Sequence, residues 1–143
     1  MLQSDFKLGK ACENCVYRDR KGPLVGVGDP EKAKVIYIGD APVEGEGVVF
    51  GGNEGRELWK LAGAGGSFRG MVFVTNVVKC CPPVDHRVDP KAVESCKEFL
   101  KKEIEGCRTT VVVTLGDLAT QTLVGISGIL KLRGAIYKRR LSI

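Results

Sequence analysis

Apolar residues along this chain gather in short runs separated by polar and glycine-rich stretches. Val35–Gly39 is β-branched, short and closed by glycine, which predicts a buried strand. Met71–Val78 predicts a second strand and Thr109–Leu115 a third. Between them the spacing becomes helical. Arg56–Ala62 puts Leu58 and Leu61 on one face, and Pro90–Glu105 opens on proline and aligns Val93, Cys96, Leu100 and Ile104. Asp117 predicts the cap of a helix running to about Leu123. Gly128–Leu132 predicts a turn or short helix, and Ala135–Leu141 alternates as a fourth strand would. Residues 1–34, 44–55, 63–70 and 80–89 read as irregular segments and loops.

Strands alternating with helices predict an α/β fold with a parallel sheet. Ligands in such sheets bind beyond the carboxyl ends of the strands. Asp40–Pro42, Asn76–Cys80 and Gly116–Asp117 fall on that rim.

Composition narrows the class. With 143 residues, 43% hydrophobic and 27% charged, the chain reads as a single globular domain over residues 1–143 rather than a disordered segment. No apolar run approaches the ~18 residues of a membrane span, and the N-terminus lacks an apolar signal region. An intracellular, cytoplasmic protein is expected.

The net charge of +5 is unevenly placed. Met1–Leu100 holds 14 basic and 14 acidic residues, and Lys101–Ile143 holds 8 and 3. Beyond Asp117, nothing offsets Lys131, Arg133, Lys138, Arg139 and Arg140. Such a segment suits a polyanion such as DNA, or is a solvated strand end.

Six cysteines without an export signal favour metal or cluster ligation over disulfides. Cys12 and Cys15 form a Cys-x-x-Cys, while Cys80 and Cys96 lie 16 residues apart. Four thiolates suit either zinc or an iron–sulfur cluster, and the wide second spacing leans towards a cluster. Cys81 and Cys107 are left over.

In order along the chain, these motifs resemble the family 4 uracil-DNA glycosylases, the iron–sulfur branch of their superfamily. Gly39-Asp40-Ala41-Pro42-Val43 stands where the family has Gly-Glu-Ala-Pro-Gly. Val49-Phe50-Gly51-Gly52-Asn53-Glu54-Gly55 resembles its glycine-rich loop, and Thr75–Pro83 its Thr-Asn-Val-Val-Lys-Cys-x-Pro-Pro. Leu115–Ala119 matches Leu-Gly-x-x-Ala, and Leu132-Arg133-Gly134 matches Leu-Arg-Gly.

The resemblance implies a three-layer α/β/α sandwich around a four-stranded parallel sheet. It implies a 4Fe-4S cluster on Cys12, Cys15, Cys80 and Cys96, tying down the N-terminal segment, and a prokaryotic DNA-repair enzyme acting on uracil in DNA. Excision requires a base flipped from the stack and a stabilised cationic sugar. Asp40 would supply the carboxylate, Phe50 the stacking wall, Asn76 the amide that reads the uracil edge, and Ala41 a pocket amide.

The chain also departs from that pattern. Asp40 is one methylene shorter than the family's Glu, and Val43 replaces a Gly. The family's C-terminal His-Pro-Ser or His-Pro-Ala loop has no counterpart; the single histidine, His86, falls between cluster ligands. The expectation is a C-terminally shortened fold, and a slow or atypical glycosylase or one completed by a partner chain. The alternatives are a non-catalytic iron–sulfur nucleic-acid-binding protein and a zinc-binding interaction domain.

Overall fold

A computed structural model describes residues 9–66 and 69–143. The first eight residues of the irregular N-terminal stretch, and Ser67 and Phe68 of the loop expected over 63–70, lie outside the described residues.

Three strands form one parallel sheet in the order β2-β1-β3. β1 is Val35–Gly39, β2 is Val72–Asn76 and β3 is Val112–Leu115. The register sets Gly39 beside Asn76 on one side and beside Leu115 on the other, so all three strands end together.

Strand side chains alternate between two cores, as a period of two requires. Ile36, Ile38 and Phe73 pack with Ala92, Cys96 and Leu100 of α3 (Pro90–Gly106) and with Ala119 and Leu123 of α4 (Asp117–Val124). Val35, Val72 and Val74 pack with Leu58 of α2 (Asn53–Ala64) on the opposite face. The result is the expected α/β/α layering. Every residue of β2 is buried although it ends the sheet order, because Val27 pairs with Val74 and covers its outer edge. β3 is half-buried throughout.

Two expectations are corrected. Ala135–Leu141 forms no strand, so the sheet has three strands among the described residues, not four. Its alternation yields no buried face: Ile136 is 96% exposed, and three consecutive cations follow Tyr137. Nor does Asp117 cap its own helix. Gly116 is the N-cap, at φ 115°, and the Asp117 carboxylate accepts from the amides of Gly128 and Ile129 at 2.9 and 3.0 Å. It thereby ties α4 to α5 (Ile129–Leu132). By contrast α3 starts as its sequence suggests, with Pro90 in the first turn and the Asp89 carboxylate accepting from Lys91 N. The short α1 (Lys10–Glu13) carries Cys12 and contacts α3.

Candidate functional site

The shared strand ends gather the expected pocket residues. Asp40 follows β1, Asn76 ends β2 and is buried, and Ala41 packs partly buried against the core. Phe50 reaches the same place from the glycine-rich loop. A methyl group placed on Gly39 would lie 2.5 Å from Asn76 Oδ1 and 2.7 Å from the Phe50 ring. The amide and the ring therefore meet over the bare Cα of Gly39.

Phe50 holds a left-handed backbone conformation, φ 53°, which a non-glycine residue adopts at a cost of roughly 1–3 kcal/mol. A Cβ on Gly55 would collide with the Phe50 carbonyl, so this glycine at the start of α2 lets the turn form. Strain of this kind collects where a side chain must be aimed.

The Asp40 carboxylate is half-buried against the N-terminus of α4, and its Oδ1 accepts from Ala119 N at 2.8 Å. Burial pushes its pKa above the ordinary carboxylate value. The Ala119 and Leu118 amides pull it back, and the charges of Asp117 and Glu54 add to the rise. Gly116 lies against this carboxylate, where a Cβ would come within 2.5 Å of Oδ1.

Cys12, Cys15, Cys80 and Cys96 line one cavity of about 310 Å³, together with Lys79 and Phe99. None is in a disulfide. Burial raises the thiol pKa values of Cys12, Cys80 and Cys96, that of Cys80 to about 11, and the neighbouring cysteines raise them further. Such thiols ionise readily only beside a cation. Two backbone amides are already aimed at the sulfurs: Tyr17 N donates to Cys15 Sγ at 3.4 Å, and Lys79 N donates to Cys96. Among the described residues no three His, Cys, Asp or Glu side chains converge tightly enough for a single metal ion. Four cysteines lining one cavity are a donor set that suits zinc or an iron–sulfur cluster. Cys81 and Cys107 are buried but do not line this cavity.

Lys131, Arg133, Lys138, Arg139 and Arg140 are exposed, and none forms an ion pair with a described residue. His86 is exposed, its ring nitrogen bonded to the carbonyl of Val84.

Three side chains escaped the sequence reading. Lys79 is 1% exposed, and its ammonium pairs with Glu103 of α3 at 2.6 Å. Glu103 continues the buried stripe Ala92, Cys96, Leu100 at helical spacing, and an acid on a core face was the available signal. Tyr17 was also missed; its hydroxyl accepts from Asp89 N and joins the cysteine-bearing segment to the start of α3.

Residues 25–141 match the model of the uracil DNA glycosylase superfamily. The chain is 31% identical over 137 residues to a type-4 uracil-DNA glycosylase of Archaeoglobus fulgidus, covering 90% of this chain and 68% of the relative. It is 33% identical over 138 residues to the type-4 uracil-DNA glycosylase of Saccharolobus solfataricus, covering 90% and 63%. A type-4 enzyme of Thermotoga maritima is 33% identical over 119 residues, covering 80% and 62%. The chain belongs to the type-4 uracil-DNA glycosylase family, and it spans roughly two thirds of the length of these relatives.

Proposed function

We propose that the protein is a uracil-DNA glycosylase of base-excision repair, which hydrolyses the N-glycosidic bond of uracil in DNA. The observation that carries this reading is the meeting of Phe50 and Asn76 over Gly39 at the carboxyl ends of β1 and β2, with Asp40 the next residue along the chain. A flipped uracil stacks on Phe50 and pairs its edge with the Asn76 amide, which offers both a donor and an acceptor. Asp40, one residue beyond Gly39, supplies the carboxylate that stabilises the cationic sugar or orients water in this reading, with the Ala41 backbone as a pocket amide. Lys131, Arg133, Lys138, Arg139 and Arg140 hold the DNA phosphates.

Cys12, Cys15, Cys80 and Cys96 hold a 4Fe-4S cluster. When bound, the cluster supplies a covalent tie between the N-terminal segment, the loop after β2 and α3, rather than redox chemistry on the base. The chain acts as one domain in the cytoplasm.

The hydrogen bond from Ala119 to Asp40 favours one second reading, a nucleic-acid-binding protein in which this carboxylate serves α4 alone. Incubation with a single-stranded oligonucleotide carrying one uracil, followed by alkali, separates the two. Strand cleavage that disappears in Asp40→Asn supports the enzyme. Tight binding without cleavage supports the second reading.

A further inference from the structure

The buried pair Lys79–Glu103 has no part in the reading above. A buried ion pair is weak evidence for stability, since desolvation offsets most of its Coulombic gain. What this pair touches is more informative.

The Lys79 ammonium has three donors, and all three are used: Thr75 Oγ1 at 2.7 Å, the Asn76 carbonyl at 2.6 Å and Glu103 Oε2 at 2.6 Å. Glu103 is satisfied in turn. Its Oε2 also accepts from the Thr75 hydroxyl at 2.7 Å, and its Oε1 accepts from Gly26 N at 2.7 Å. The network thus links α3, the end of β2 and the N-terminal segment. No buried side-chain polar atom among the described residues lacks a partner.

One peptide group that the network holds adjoins the proposed pocket. The Asn76 carbonyl and the Val77 amide belong to the same plane. Lys79 holds the carbonyl, and the Gly39 carbonyl accepts from Val77 N at 2.8 Å. Val78 N is held in the same way by the Asp40 carbonyl at 3.0 Å. The chain leaving β2 is therefore clamped on both edges just after Asn76. That clamp fixes the direction in which the Asn76 side chain leaves the backbone.

We infer that Lys79, anchored by Glu103, is a positioning residue that presents the Asn76 amide to the flipped base. This rests on the proposed uracil-excision reading. Neither residue touches the base; both act through the peptide of Asn76.

The test is a double-mutant cycle on the full, cluster-loaded protein. Lys79→Met/Glu103→Gln removes both charges, so that no buried charge is orphaned. Visible absorption and melting report fold and cluster. Single-turnover excision is compared for the parent, this variant, Asn76→Ala and the combination. We expect about a tenfold loss for Lys79→Met/Glu103→Gln, the order of one lost hydrogen-bond contribution. In the Asn76→Ala background the same change should cost nothing further. Losses that simply multiply in the combination would overturn the proposal, because a purely structural role is blind to the Asn76 side chain. If the paired variant fails to fold, Thr75→Val deletes only the hydroxyl bridging Lys79 and Glu103. It should give a smaller loss, again absent in the Asn76→Ala background. If the parent excises no uracil, the functional reading fails separately. A crystal structure of the variant then decides the positioning claim. An Asn76 amide displaced from Gly39 sustains it, and an unmoved amide overturns it.

Discussion

The Asp40 carboxylate accepts a 2.8 Å hydrogen bond from the Ala119 amide, so the acid at the end of β1 also closes the N-terminus of α4. In the proposed pocket, one side chain would serve both the helix and the excision site. Its pKa is raised, chiefly by burial, so holding it ionised works against folding. The sign follows from linkage. A raised folded-state pKa contributes stability at pH below the unfolded value of about 3.9, and that contribution is lost as pH rises through the folded value. Asp40→Asn keeps an acceptor for Ala119 and removes the charge. We expect its melting temperature at pH 7 to equal or exceed the parent's, and the gap to close in acid. Thermal scans across that range check this.

The same raised value shapes activity. In the proposed mechanism the ionised carboxylate of Asp40 does the work, so excision should fall as pH drops through its folded-state pKa. Asp40→Asn should lower the rate by about 10²–10⁴-fold and erase that acid limb. Single-turnover rates against pH measure both.

Gly39 is the floor on which Asn76 and Phe50 meet. Gly39→Ala puts a methyl group 2.5 Å from Asn76 Oδ1 and 2.7 Å from the Phe50 ring, so both must move. We expect uracil excision to be lost while the visible absorption of the cluster stays. Parallel activity and absorbance measurements on one preparation test this. Loss of iron along with activity would place the effect on folding instead.

Cys80→Ser and Cys81→Ser should separate two adjacent thiols. Cys80 lines the cavity shared by four sulfurs, and Cys81 does not. Cys80→Ser should strip iron and brown colour and lower the melting temperature, because ligand binding contributes directly to folding. Cys81→Ser should keep both. Iron analysis with thermal melts reads the contrast.

Arg139 and Arg140 are exposed. If each neutralises one phosphate, the double change to Gln should flatten the slope of log K against log salt by about 1.4 on single strands and ~1.8 on duplex. Fluorescence anisotropy at several salt concentrations measures it. An unchanged slope would remove these residues from the interface.

The legible part of the fold lay in its strands. Val35–Gly39 and the apolar core of Met71–Val78 are buried on both faces, and a short β-branched run leaves little choice of structure there. The strand-end rim was readable for the same reason, since parallel strands that end together must bring Asp40, Asn76 and Gly116 to one edge. The last element was not. Ala135–Leu141 shows period-two alternation, yet a strand also needs a neighbour and a buried face, and a local pattern reveals neither. Asp117 was misread because its side chain serves a segment eleven residues on, and not its own helix. Lys79 was hidden by its charge: a lysine reads as surface unless its acid is placed, and Glu103 lies 24 residues away.

The central claim is that Asp40, Phe50 and Asn76 form a working uracil pocket. Release of free uracil tests it most directly. Anaerobically purified brown protein is mixed in excess with single-stranded DNA bearing one radiolabelled uracil, and the free base is separated from the DNA. Labelled uracil should appear in a single exponential with the parent, and slow by about 10²–10⁴-fold with Asp40→Asn. No free uracil from cluster-replete parent that still binds the DNA would contradict it.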